Sequence, residues 1–73
     1  MPIKYKMDML TALKERGFTT YKIRKEKLLA ESTVQALRRG EMVSLENIAR
    51  LCDMLDCQPG DMLEYEKRAD NAD

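Results

Sequence analysis

The sequence predicts an all-α domain built as a compact bundle of five short helices, and three observations lead there. Apolar residues recur at spacings of three and four in successive segments, which is the period of a helix with one buried face. Hydroxyl residues or Pro stand where most of these segments open, and Gly17 and Gly40 stand where two of them close. The 73 residues contain one Phe, three Tyr and no Trp, so the core must rest on Leu, Ile, Val and Met. A chain of this length forms one domain near the size at which a single core becomes marginal.

MPIKYK is expected as an extended lead-in, from Pro2 and the alternation Ile3, Tyr5, Met7. A first helix follows from about Asp8 to Arg16, burying Met9, Leu10 and Leu13 with Ala12 beside them. Gly17 suits the left-handed cap and Phe18 a core plug. Thr19 or Thr20 can cap a second helix, TYKIRKEK, whose apolar anchor is Ile23 and four of whose residues are basic. The chain breaks at Leu28, Leu29 and Ala30. A third helix, ESTVQALRR, then ends at Gly40.

Ser44 caps the fourth helix, Leu45 to about Asp56, with Leu45, Ile48, Cys52 and Leu55 as a central stripe widened by Ala49, Leu51 and Met54. Pro59 opens a fifth helix running to Tyr65. The domain spans 1–66, and 67–73 is expected to be a disordered tail lacking packing residues. Of six methionines, Met7 and Met9 are read as gap-fillers in the core, while Met54 and Met62 suit either a core or an adaptable contact surface.

The third helix carries the functional argument. At about 100° per residue, Val34 and Leu37 share one face, while Ser32, Gln35, Ala36 and Arg39 point the opposite way. Glu31 and Arg38 flank that outer face on one side and Thr33 on the other. A slim polar face edged with cations fits the DNA major groove.

Residues 20–40, TYKIRKEKLLAESTVQALRRG, resemble the helix-turn-helix of the Cro/cI-type (XRE-like) regulators, and CQPGDMLEY further on strengthens the likeness. With Thr20 as the first motif position, the family's apolar sites fall on Ile23, Leu29, Val34 and Leu37. Arg24, Lys27 and Leu28 depart from it, standing where a small residue, an apolar residue and the turn glycine are usual. A left-handed Leu28 would be strained by roughly 1–2 kcal/mol, so a turn of another shape or length is expected. The resemblance covers roughly residues 5 to 65. It implies a lambda-repressor-like fold with the helix-turn-helix at the second and third helices. It also implies a reading helix over about 31–39 that starts before Ser32, although Ser32 and Gln35 alone would also match a capping box.

Charge supports this reading although the net charge is zero. Residues 1–40 hold ten Lys or Arg against four acids, a balance of +6, and residues 41–73 hold three against nine, a balance of −6. Such asymmetry marks a half facing a polyanion and a half turned from it; ordinary solvated helix faces are the plain alternative. Arg38 and Arg39 can reach phosphates, and Arg39 can also bond guanine O6 and N7. Their plain role is to compensate the helix dipole. Gln35 can pair with an adenine edge, and Ala36 can touch a thymine methyl. Glu31 either accepts from cytosine N4 or only favours the helix N-terminus. Thr20 can offer a hydroxyl and N–H to a phosphate, supported by Lys22, Lys25 and Tyr21, which can alternatively pack in the core.

No His, glycine-rich phosphate loop or nucleophile with a base is present, so no enzyme is expected. Cys52 and Cys57 without any His cannot form a structural zinc site, and no cofactor or small-molecule ligand is evident. Without a signal peptide, long apolar run or lipidation motif, the chain is expected in the cytoplasm with both thiols reduced. The expected partner is double-stranded DNA, bound in sequence-specific fashion by a bacterial or phage-like regulator, as a homodimer on a near-palindromic site. Surplus apolar residues Leu51, Met54, Met62, Leu63 and Tyr65 are the expected two-fold contact. A protein-interaction module that kept the fold and lost DNA binding is the alternative. RNA binding is weaker for want of aromatics on which bases could stack.

Overall fold

In the computed structural model, which describes residues 2–67, five helices and two short strands follow one another. They are β1 (Ile3–Tyr5), α1 (Met9–Glu15), α2 (Thr20–Lys25), α3 (Glu31–Arg39), α4 (Leu45–Leu55), α5 (Pro59–Met62) and β2 (Leu63–Tyr65). Three of the helices, α1, α2 and α4, start where a side chain holds free N–H groups. Asp8 Oδ1 accepts from Leu10 and Thr11 at 3.1 and 3.3 Å, Thr19 Oγ1 from Lys22 at 3.1 Å, and Ser44 Oγ from Asn47 at 3.2 Å. Gly17 and Gly40 take left-handed φ values of 91° and 74°, ending the segments of α1 and α3 as expected.

The domain is not all-α. The extended lead-in exists, but it pairs antiparallel with β2, Ile3 opposite Tyr65, Lys4 opposite Glu64 and Tyr5 opposite Leu63. Lys6 N–H to the Met62 carbonyl and Glu66 N–H to the Pro2 carbonyl continue the pairing at both ends. The fifth helix therefore stops at Met62 rather than Tyr65, because Leu63 turns to extended backbone at φ −120°, ψ 151° and joins the sheet. Tyr5 then ties the sheet to the loop after α3, its hydroxyl donating to the Glu41 carbonyl at 2.8 Å. The tail expected over 67–73 lies, apart from Lys67, outside the described residues.

The core is formed by Met9 and Leu13 of α1, Ile23 of α2, Leu29, Val34 and Leu37 around the motif, and Ile48, Leu51, Leu55 and Met62 behind it. Helix α1 packs on α3 and α4, and α4 on α5. All four motif positions expected to be apolar anchors are buried. Phe18 is half-buried against this core rather than plugged into it.

Five expectations about apolar residues need correction. Leu45, placed in the central stripe of α4, is 84% exposed. At about 100° per residue the buried trio Ile48, Leu51 and Leu55 defines a core direction almost a quarter-turn from Leu45, and Ala49 is further round and also exposed. Met7 lies in a bend and is exposed rather than filling the core. Leu51 and Met62 are fully buried inside the domain, so neither side chain is left for a two-fold contact. Of that set only Met54, Leu63 and Tyr65 retain accessible surface. Cys52 and Cys57 are free and half-buried, and burial followed by the neighbouring Cys52 pushes the Cys57 thiol pKa up, away from a reactive thiolate.

Candidate nucleic-acid interface

The α2–α3 turn sets how α3 projects. Helix α2 closes with Leu28 N–H donating to the Ile23 carbonyl at 3.0 Å and Lys27 N–H to the Arg24 carbonyl at 3.2 Å. The left-handed residue is Lys27, at φ 55°, one position before the site where the family's glycine is usual. This is the shape by which Leu28 escapes strain: Lys27, exposed and unbranched at Cβ, carries the unfavourable φ, and Leu28 is left free to pack against the core.

Ala30 caps α3 without a side-chain hydrogen bond, so the helix begins at Glu31 and the Ser32 hydroxyl is not used as a cap. Gln35 likewise does not close a capping box; its Nε2 donates to Glu31 Oε2 at 3.0 Å. Val34 and Leu37 face inward, while Glu31, Ser32, Arg38 and Arg39 are exposed and Gln35 and Ala36 half-exposed. Among the described residues, the ridge anticipated from periodicity is thus left open.

Thr33 is the exception and a correction. It is only 6% exposed, and its hydroxyl accepts from Asn47 Nδ2 at 3.2 Å. Helix α4 passes on that side of α3 and brings Asn47 within reach, which turns the expected flank of the ridge into its inner face. Thr33 therefore holds α3 to α4 and is not presented to a ligand.

On α2, Thr20 is half-exposed and Tyr21 is 70% exposed, which rules out the core alternative for the tyrosine. Lys25 Nζ lies 5.7 Å from the centroid of the Tyr21 ring and Lys22 Nζ 5.2 Å from that of Phe18, both cation–π arrangements that hold lysines against the α2 surface. Arg39 Nε is 3.6 Å from Glu41 Oε2, a loose pair between exposed groups.

One residue absent from the sequence-level site is Arg24. Its Nε donates to Glu31 Oε1 at 2.8 Å and its Nη2 to Glu31 Oε2 at 3.0 Å, a two-pronged clasp across the turn. The hydrogen bonds from Arg24, then that from Gln35, hold the Glu31 carboxyl at a pKa of about 2, against the opposing effect of burial and with smaller help from the charges of Arg24 and Arg38. The same contact raises the Arg24 pKa. The signal in the sequence was two opposite charges seven residues apart across a break, a spacing that no helical period flags.

Five helices, a second-to-third turn anchored by the buried Leu29, and a third helix whose outer face is open define a helix-turn-helix domain, the class of protein that lays a helix in the major groove. A family model for the Cro/C1-type HTH DNA-binding domain matches residues 9–68, most of the chain. The protein belongs to that family, and its class of function is DNA binding by a regulator. No curated protein and no solved structure gives a significant match. Among the described residues, no helix is long and apolar enough to cross a membrane.

Proposed function

We propose that the protein is a sequence-specific double-stranded DNA-binding transcriptional regulator of the bacterial or phage-like kind, with α3 in the major groove. The observation that carries this is the uncovered ridge of Ser32, Gln35, Ala36 and Arg39 on a helix whose opposite side, Thr33, Val34 and Leu37, is locked to the core. Gln35 and Arg39 carry the groups that read adenine and guanine edges, and Ala36 suits a thymine methyl. Thr20, Lys22, Lys25 and Arg38 are the phosphate contacts, with Tyr21 beside them, and they fix register rather than sequence.

One slim helix covers few base pairs, so the reading includes a homodimer on two half-sites. Of the residues expected at its contact, Met54, Leu63 and Tyr65 keep accessible surface, with Tyr65 64% exposed. Occupation of an operator then alters polymerase access.

Titration of binding to random duplex against salt tests the first claim. Log affinity falls with log salt at about −0.9 per phosphate contacted if the face binds DNA. No association at low salt would instead favour a protein-interaction module on the same fold. Selection from a random pool tests the second claim: a two-fold-symmetric winner supports the dimer, and an asymmetric short site refutes it.

A further inference from the structure

Resting on the DNA reading above, the cluster of Arg24, Glu31 and Gln35 where α2 ends and α3 begins carries a statement about how sequence is discriminated. Glu31 accepts three hydrogen bonds, two from Arg24 at 2.8 and 3.0 Å and one from Gln35 Nε2 at 3.0 Å. An ionised carboxylate only accepts. The amide nitrogen of Gln35, not its oxygen, must therefore be the atom turned toward Glu31. The sense of the amide is fixed by chemistry and not merely by fit.

What Gln35 then has left is Oε1 and the second hydrogen of Nε2, an acceptor beside a donor. Adenine presents the complement in the major groove, its N6 donor beside its N7 acceptor. Guanine offers two acceptors there and would leave Oε1 facing an oxygen or nitrogen lone pair. The same carboxylate engages Arg24 through both prongs of its guanidinium, so this cation is committed to the protein. Lys22, Lys25, Lys27 and Arg38, by contrast, make no ion pair among the described residues.

We propose that Glu31 is the positioning residue for specificity: it fixes Gln35 in the adenine-reading sense and holds Arg24 back from the phosphates. Glu31 itself touches no base in this arrangement. The two effects are separable: fixing Gln35 raises the ratio of specific to non-specific binding, whereas withholding Arg24 lowers affinity for any duplex without changing that ratio.

The test uses the full chain, with base preferences measured by selection and affinities measured across a salt series on the selected and random duplexes. Wild type should prefer adenine at one position of each half-site, by the roughly five- to hundredfold typical of a two-pronged base contact. In Glu31→Ala that preference should collapse toward unity, binding to random duplex should tighten, and the salt slope should steepen by about 0.9 per protomer as Arg24 gains a phosphate. In the Arg24→Ala/Glu31→Ala pair the slope should return to the wild-type value while the preference stays lost. Glu31→Gln, whose amide can offer Gln35 either atom, should lose the preference without losing bulk. Gln35→Ala should abolish it and make the Glu31 substitutions silent on it.

A wild-type chain that selects its site while Glu31→Ala and Glu31→Gln keep both preference and slope would overturn the inference and leave the DNA reading standing. Loss of preference only in proportion to a fall in melting temperature would also overturn it, marking Glu31 as merely structural. Absence of any salt-dependent duplex binding by wild type would instead remove the DNA reading, and this inference with it.

Discussion

Arg39→Ala separates a contacting role from a structural one. Arg39 ends α3 with its side chain 57% exposed, and its one ion pair, to Glu41, is 3.6 Å long. Exposed pairs of this kind contribute about 0–1 kcal/mol, and alanine is at least as good a helix former as arginine. A net change of at most ~0.5 kcal/mol follows, and at about 4–8 °C per kcal/mol for a domain this small the melting temperature should move by less than ~4 °C. Binding should respond more strongly. If Arg39 holds guanine O6 and N7, its loss costs about 1–3 kcal/mol, roughly a five- to hundredfold drop on the selected duplex with little change on random DNA. If it holds a phosphate, both duplexes weaken together and the salt slope shrinks by about 0.9. Fluorescence anisotropy on selected and random duplexes across salt, beside a thermal melt of the free protein, distinguishes these. A melting point lowered by more than ~8 °C with binding reduced in step would make Arg39 a structural residue, since that exceeds what an exposed pair supplies. Unchanged binding on both duplexes would mean that the ridge of α3 is not the reading face.

Thr33→Val should do the reverse: losing the hydrogen bond from Asn47 costs about 0.5–1.5 kcal/mol of stability, read by urea unfolding, while DNA affinity of the folded protein stays unchanged. Lys27→Gly should stabilise the domain by about 0.5–1 kcal/mol in the same assay, because glycine relieves the left-handed φ of 55° at some cost in unfolded-state entropy. Because the Glu31 pKa is depressed in the folded state from 4.5 to about 2, its pairing contributes fully above the unfolded value and fades as pH falls toward 2. Acid unfolding of wild type and Glu31→Gln should therefore diverge above that window and converge within it. A carboxyl NMR titration should find Glu31 near 2 in wild type and higher in Arg24→Ala. Met62→Ala, at a fully buried site, should cost about 2–5 kcal/mol, whereas Leu45→Ala should stay within about 0.5 kcal/mol.

Local periodicity carried most of the fold. Val34 and Leu37 share a helical face whatever lies beyond them, and the caps Thr19 and Ser44 act within three residues of their own position. What stayed hidden depends on partners distant in sequence. The alternation around Ile3–Tyr5 announced an extended segment, but its partner Leu63–Tyr65, three residues at the other end of the chain, is too short to show alternation, so the pairing stayed hidden. Thr33 has the same helical position whether it faces DNA or α4, and only the approach of Asn47 decides. Leu45 failed in the other direction. Its spacing of three from Ile48 and seven from Cys52 fits an apolar stripe, but it is the first residue of α4, almost a quarter-turn from that helix's core direction, and 84% exposed. At the site, single residues on the ridge of α3 were legible, whereas the Arg24–Glu31–Gln35 cluster needed the geometry of the turn. Glu31 was read as a cytosine contact or a helix-terminus charge because its partner Arg24, across that turn, could not be seen.

The zero net charge is the last apparent obstacle to DNA binding, and it dissolves once charge is assigned to faces. At physiological salt the screening length is about 8 Å, so a phosphate senses the nearest side chains and not the molecule's total. Residues 20–40 hold six Lys or Arg against two acids. Of those six, Arg24 is committed to Glu31 and Arg39 leans on Glu41, while Lys22, Lys25, Lys27 and Arg38 have no ion pair among the described residues. Three acids of the second half gather elsewhere: Asp53, Asp56 and Asp61 line one concavity by the end of α4 and the start of α5. Four available cations at about 0.9 each set a salt slope of about −3 to −4 per protomer. Between 50 and 200 mM salt this corresponds to a loss of roughly a hundredfold in non-specific affinity per protomer. A slope near −1 would mean that these cations do not face the duplex together, and the geometry of α2 beside α3 would then need another explanation.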